Sequence, residues 1–353
     1  MSRFAGVDCH PDSHTIVLVD DQGRLLIEKT IASEASGFGH ALGEEWCRGD
    51  IVWGLEGTGT YGRALADYLV SHGFDVYEVP GAVTKRYRKH STRPGKSDPI
   101  DARAIAEAVL KERNRLPRFF GSTDLEALRV MYDHRDRLVR ERTQAVNRVR
   151  SALMRLQLSK PHDLTSVRQL RSVRATLKAY KRTGPLVGAF VRQAMDATDA
   201  IKLYTAQIRE AETTLRAFAK PFKQLLAIYG VSFVVAAGIV GHAGDLRNCR
   251  SADSFAMRSA VAPVPCSSGR NRQVRVNLGG NRQLNRLLHT VAVTQISHPG
   301  TIGRQYYDRK LTEGKTPRSA LRSLKRRLAT VVYYRLRRDL EAGCSDHLTQ
   351  LAA

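Results

Sequence analysis

Cysteine is scarce in this chain and poorly placed for chemistry. The five residues, Cys9, Cys47, Cys249, Cys266 and Cys344, include no CxxC pair, which argues against a zinc site and against a disulfide framework. Long apolar runs are missing too. The longest, VSFVVAAGIVG at 231–241, is too short to span a bilayer, and the start MSRFAGVDCH lacks the apolar core of a signal peptide. No internal repeat or low-complexity tract interrupts the 353 residues. The expectation is a cytoplasmic protein of two or three domains, with 42% hydrophobic residues from which to build its cores.

Acidic residues are the other shortage, and an uneven one. The chain carries 57 Lys+Arg against 34 Asp+Glu, net +23. Residues 1–84 hold 5 basic and 13 acidic residues, net −8, so the remainder holds 52 and 21, net +31. A surplus of that size fits a polyanionic partner. An acidic module therefore precedes a basic one, which reads as a grip for nucleic acid.

Strand patterns open the acidic module: RFAGVD at 3–8, HTIVLVD at 14–20, a turn at DDQGR, then LLIEKTI. A polar helix near 36–47, a buried strand IVWGLE at 51–56, a helix at 63–73, a strand at 74–80 and a helix at 99–112 follow. Antiparallel strands followed by β-α alternation predict a mixed sheet covered by helices. From 122 the period becomes helical. Leu125, Leu128, Tyr132, Leu138, Val146, Val149, Leu153 and Leu156 recur at three- and four-residue steps, with Arg135 and Arg142 interrupting. That stretch predicts a helix of ~50 Å at 1.5 Å per residue. A coiled-coil arm follows from it, paired with the helical stretch at 188–218 or with another subunit. The breaks fall at SKPHD and KRTGP. The segment 225–241 resembles a helix-hairpin-helix with Ser232 where a second glycine is usual, and the last long helix covers 316–340.

Four carboxylates fall where such a sheet would gather them. Asp8 ends the first strand, Glu56 ends the buried strand, and Asp98 and Asp101 open the 99–112 helix three residues apart. One reading is a helix start, with Asp98 as N-cap, Pro99 at the first position and Asp101 facing the dipole. The other is a metal site: four clustered carboxylates repel one another unless divalent cations neutralise them, and two Mg²⁺ ions ~4 Å apart would form a clamp for phosphoryl transfer. Gly57, Gly59 and Gly62 spell GxGxxG, with Glu78 further on, but Glu56 would then face a pyrophosphate with no cation between them, so dinucleotide binding is set aside.

Two basic stretches accompany the acids. KRYRKHSTRPGK at 85–96 presents Lys85, Arg86, Arg88, Lys89, Arg93 and Lys96 as a loop that could grip phosphate, with Tyr87 available to stack on a base. The polar loop 264–288 places two serines, Ser267 and Ser268, before Gly269, followed by Arg270, Arg272, Arg275, Arg282 and Arg286. It is either a Ser-Gly turn in a phosphate-binding loop or the site of a serine nucleophile that needs activation from elsewhere.

Together GVD at 6–8, E-x-T-G-x-Y at 56–61, KSDPIDA at 96–102, the hairpin segment at 225–241, APVPCSSG at 262–269, GGNRQLNRLLH at 279–289 and GKTPRSALRSLKRRLA at 314–329 resemble the DEDD transposases of the insertion-sequence-110 family. The resemblance runs through nearly the whole chain. It implies an α/β plus α architecture: a RuvC-like domain of the ribonuclease-H fold at 1–118, a helical dimerisation arm at 119–220, and a mostly helical transposase domain at 221–353. It further implies a D-E-D-D tetrad of Asp8, Glu56, Asp98 and Asp101 binding Mg²⁺, and Ser268, with Ser267 a lesser candidate, attacking a DNA phosphate. The partners implied are donor and target DNA, a structured bridge RNA, and further copies of the chain in a dimer or tetramer associated with the nucleoid. Two rival readings stay open: a RuvC-like endonuclease that uses activated water, and a non-catalytic nucleic-acid binder whose acids are only caps.

Overall fold

The computed structural model describes residues 2–89, 97–121, 124–181, 184–268, 271–275, 277 and 279–344; at 124, 265, 267, 268 and 271–274 it describes the backbone alone. The chain divides into two compact units, Met1–Ser122 and Thr123–Ala353.

The first unit is a six-stranded mixed sheet flanked by helices. In chain order it contains β1 (Arg3–Cys9), β2 (Ser13–Val19), β3 (Leu25–Ala32), α1 (Ala35–Gly43), β4 (Ile51–Leu55), α2 (Arg63–Ser71), β5 (Asp75–Glu78), α3 (Gly81–Lys89), α4 (Asp98–Glu112) and β6 (Arg118–Phe119). The sheet order is β3-β2-β1-β4-β5-β6, with β2 antiparallel to β1 and β3, and with β1, β4 and β5 parallel. This is the RuvC-like arrangement expected from the sequence: a hairpin meander followed by β-α crossovers.

Side-chain alternation gives the sheet two different faces. Ala5, Val7, Trp53, Leu55 and Val76 point to one side and pack with Phe38 of α1 and with Leu65 and Leu69 of α2. Phe4, Val17 and Val19 point to the other and pack against Ala102, Ile105, Ala106 and Val109 of α4. Fully burying each large apolar side chain contributes about 1.5–3 kcal/mol, so both faces are committed to their helices. Two glycines let α4 approach closely. A Cβ on Gly6 would overlap the backbone of Ala102 and Ala106, and one on Gly54 would lie 3.1 Å from Ile105 Cγ2.

The basic stretch differs from the expected loop. Lys85–Lys89 continue α3, because Val83, Thr84 and Tyr87 form a buried or half-buried stripe toward the sheet and no helix breaker intervenes.

Among its described residues the second unit is helical apart from one hairpin: α5 (Asp124–Arg155), α6 (Val167–Lys178), α7 (Pro185–Ala219), α8 (Lys223–Leu226), α9 (Phe233–Ala243), α10 (Ala252–Arg258), β7 (Val264–Ser268), β8 (Asn271–Arg275), α11 (Arg282–Ile296), α12 (Ile302–Thr312) and α13 (Pro317–Glu341). All eight residues of the stripe read from the sequence are buried. The long helix α5 has a partner inside the chain: it pairs with α7, where Arg135 Nε donates to Glu212 at 2.9 Å, and α6 closes a three-helix core around Val149, Leu153, Leu170, Val173 and Ile201. No helix among the described residues is long and apolar enough to cross a membrane.

Another difference lies at 264–275, where the expected loop is an antiparallel hairpin. Val264 pairs with Arg275, and Ser268 with Asn271. The Q-V-R alternation of β8 suits a pleated strand with one polar face.

Candidate catalytic site and nucleic-acid surface

The alternation that builds the first unit also aims the acids. Phe4, Gly6 and Asp8 lie on the α4 side of β1, and Val52, Gly54 and Glu56 on the α4 side of β4. The last parallel pair is Val7 with Leu55, and Glu56 N donates to Val7 O at 3.3 Å, so Asp8 and Glu56 emerge together at the carboxyl ends of the two central strands. Because α4 crosses β1 at Gly6 through Ala102 and Ala106, its first turn, with Asp98 and Asp101, arrives over the same strand ends.

Neither aspartate of α4 is the N-cap. Ser97 occupies that position with no side-chain hydrogen bond, and Asp98 begins the helix. Asp98 Oδ1 lies 3.4 Å from His10 Nε2, and the same nitrogen lies 3.3 Å from Asp8 Oδ2. Oxygens of Asp8 and Asp98 and a ring nitrogen of His10 all fall within 4.8 Å of one another. Asp101 is buried and receives both its short bonds from Arg88 Nη1, at 2.7 and 2.9 Å. Glu56 lies against α3, where a Cβ on Gly81 would come within 2.7 Å of its Oε1.

The electrostatics follow from this crowding. Burial pushes the Asp8 carboxyl above the usual aspartate range; His10 opposes the shift, while Asp101 and Asp98 add to it. Burial, reinforced by Asp8 and Glu56, raises the neighbouring Cys9 thiol to about 12, so it stays protonated and unreactive. A divalent cation would offset the repulsion that Asp101 and Asp98 add at Asp8, and hard carboxylate oxygens suit such an ion. The residues present therefore fit a divalent metal.

The GxGxxG glycines serve the turn beside this cluster. Gly57 has φ +81° and accepts from Thr60 N at 2.8 Å; a Cβ on Gly62 would lie 2.8 Å from Cys9 Sγ. Glu78 is engaged by the Thr58 hydroxyl.

Several basic candidates already have internal partners. Arg88 holds Asp101, Arg86 and the Tyr87 hydroxyl meet Glu112, and the Tyr87 ring carries Arg86 and Lys111 at 5.4 and 5.6 Å. Lys85 and Lys89 are exposed. Arg93, Lys96 and Arg270 lie outside the described residues, and Ser267, Ser268 and Arg272 are placed by backbone only, in the two hairpin strands. Arg275 and Arg282 are exposed, whereas Arg286 pairs with buried Asp136 at 2.8 Å and donates to Tyr132 Oη at 3.3 Å. In the 225–241 segment, Gly230 turns at φ +87° and Ser232 Oγ accepts from Val235 N at 3.3 Å, so the serine caps α9. His10 and the Arg88–Asp101 pair were not singled out from sequence as parts of the acidic site; D-C-H at 8–10 was the one local signal.

Comparison with known proteins adds a second line of support. Residues 5–157 match a family model described as a transposase, the DEDD type of IS110, and residues 223–308 match the model of the transposase IS116/IS110/IS902 family. The chain is 27% identical to the insertion element IS116 uncharacterized 44.8 kDa protein of Streptomyces clavuligerus, over 95% of this chain and 94% of that protein. It is 24% identical to the insertion element IS900 uncharacterized 42 kDa protein of Mycobacterium paratuberculosis, over 95% of each. It is 26% identical to the transposase for insertion sequence element IS1328 of Yersinia enterocolitica, over 64% of this chain and 66% of that one.

Proposed function

The chain belongs to the IS110 family of DEDD transposases, and from that premise we propose that it cuts and rejoins DNA through a covalent link to Ser268, assisted by two Mg²⁺ ions at Asp8, Glu56, Asp98 and Asp101. The observation that carries this reading is the crossing of α4 over β1 at Gly6, which brings Asp98 and Asp101 to the half-buried carboxylate of Asp8. When bound, the ions would supply Lewis-acid neutralisation of charge on the attacked phosphate.

The chain's own residues do the rest. The Ser268 hydroxyl loses its proton and attacks the scissile phosphorus. A serine–phosphate ester forms as the bond to the leaving strand breaks, and that strand departs as a hydroxyl after taking up a proton. A strand-end hydroxyl then displaces Ser268 and restores the diester. Each step exchanges one phosphate ester for another, so no nucleoside triphosphate is needed. Arginines beside the serine stabilise charge on the phosphate during the exchange. The surplus of +31 beyond residue 84 supports contacts with donor and target DNA and with a structured bridge RNA. We assign strand exchange to a dimer or tetramer in which the acidic site of one subunit serves the serine of another.

The test is a denaturing gel after incubation of the full chain with element-end DNA, its guide RNA and Mg²⁺. A protein–DNA adduct that survives denaturation, is retained in Ser267→Ala and is lost in Ser268→Ala supports the reading. Cleavage by Ser268→Ala with no adduct in any variant would move the chemistry to an activated water.

A further inference from the structure

The second unit holds a cavity of about 580 Å³ that the acidic site and the serine do not use. It lies between the end of α10, the hairpin, α11, α12 and the first turns of α13, and Arg275, Lys315, Arg322, Lys325 and Arg326 all face it. Only Arg326 among these cations is paired with a described carboxylate, Asp253. Its other guanidinium nitrogen donates to Thr330 Oγ1 at 2.9 Å, so its direction is fixed.

The floor is rigidly built. Ala260 sits at φ +54°, a backbone conformation that costs a residue with a Cβ roughly 1–2 kcal/mol. Asn285 Nδ2 donates to Ala260 O at 2.8 Å, and Asn285 Oδ1 accepts from Lys325 Nζ at 2.8 Å. This relay holds the Lys325 ammonium at the wall and leaves its other donors for a ligand. Burial first, and then neighbouring Arg322, lower the Lys325 pKa; an anion in the cavity would oppose that shift by favouring the charged ammonium.

We propose that this cavity binds a backbone phosphate of a nucleic-acid strand through Arg275, Lys315, Arg322 and Lys325, with Pro263 and Tyr306 against the adjoining sugar or base. Four cations without a described carboxylate partner exceed what a small carboxylate would neutralise, and guanidinium forks match phosphate oxygens. The mixed lining suits a nucleotide, which carries charge on one side and a ring on the other. Arg275 stands opposite Val264, while Ser268 stands opposite Asn271 at the other end of the hairpin. At about 3.3 Å per residue the two ends are separated by roughly 13 Å. The cavity and the serine end therefore lie on one and the same hairpin. The inference rests on the chain handling nucleic acid and not on the serine chemistry.

The experiment measures binding of the full chain, in EDTA, to labelled duplex DNA, single-stranded DNA and RNA across a salt series. Arg322→Gln is the primary variant, because Arg322 pairs with no described carboxylate. It should weaken binding several-fold on at least one probe and reduce the salt slope by about 0.9 for duplex or about 0.7 for a single strand. Arg322→Gln with Lys325→Met should reduce it by about twice as much. The probe that responds identifies the strand. Unchanged slopes on all three probes, with unfolding curves matching the wild type, would overturn the site. So would inorganic phosphate that saturates the cavity while strand binding keeps its slope. Metal-free binding separates this outcome from failure of the serine mechanism, which would appear as a missing adduct with the slopes still reduced.

Discussion

Replacing Gly6 with alanine should break the acidic site without touching a carboxylate. The added methyl would overlap the Ala102 carbonyl oxygen and the Ala106 nitrogen and approach the Ala106 Cα to 2.9 Å. These are backbone atoms, so no rotamer change relieves the clash, and α4 must move outward by on the order of 1 Å. Over-packing costs about 1–3 kcal/mol. With backbone on the opposing side and Ile105 and Val109 drawn from their core, we expect about 3 kcal/mol. Both tryptophans belong to the first unit, Trp53 buried in its core and Trp46 half-buried against it, so their fluorescence in urea reports that unit's unfolding. With a slope of about 2 kcal/mol per molar, the midpoint should fall by about 1.5 M. Gly59→Ala is the control: its added methyl meets nothing within 4 Å, so it should cost less than about 0.5 kcal/mol and leave the midpoint within about 0.25 M of the wild type. Because α4 carries Asp98 and Asp101, Gly6→Ala should also lose stabilisation by Mg²⁺. Equal midpoints for the two variants would refute the close approach of α4 to β1.

Removing Arg88 takes the cation from Asp101; Arg88→Ala should lower the melting temperature of the first unit in EDTA and enlarge its rise with Mg²⁺, and an unchanged rise would show that Arg88 does not compete for the site. Asp339 is buried and accepts from Gln224 N at 3.0 Å and Leu225 N at 2.9 Å, capping α8 from α13. Asp339→Ala should therefore cost about 2–3 kcal/mol in helix unfolding followed by circular dichroism, and a loss below about 0.5 would deny the cap. Burial holds His242 below the ordinary histidine value, although Asp133 accepts at 3.0 Å and opposes the shift. The unfolded chain takes up a proton near pH 6.5 that the fold resists, so stability of the second unit should decline as pH falls from about 6.5 through the depressed value. His242→Asn should flatten that decline, and an equally steep decline in the variant would contradict it.

Much of this was legible in the sequence because regular patterns carry their own geometry. The stripe from Leu125 to Leu156 was readable since its period matches a helix, and every member is buried. Asp8 and Glu56 were readable as a pair because each closes an apolar strand. What escaped depended on contacts between distant residues. His10 lies beside Asp8 in the chain, yet its link to Asp98 exists only once α4 is in place. Arg88 read as a phosphate contact because nothing local shows that it reaches Asp101. Arginines alternating with Gln and Val disguised β8 as a basic loop, since charge masks a strand's period. The cations of the basic cavity come from positions 275, 315, 322 and 325, and only folding of α13 against the hairpin and α11 gathers them.

The central claim is that four carboxylates together hold two divalent cations. Titration of the full chain with Mn²⁺, followed by electron paramagnetic resonance, tests it without any knowledge of the DNA ends. The account predicts two bound ions per chain, displaced by Mg²⁺, with tight binding lost in each of Asp8→Asn, Glu56→Gln, Asp98→Asn and Asp101→Asn and kept in the surface variant Asp75→Asn. Mn²⁺ binding that survives the Asp8 and Asp101 substitutions, or a wild-type chain that binds no ion, would contradict it.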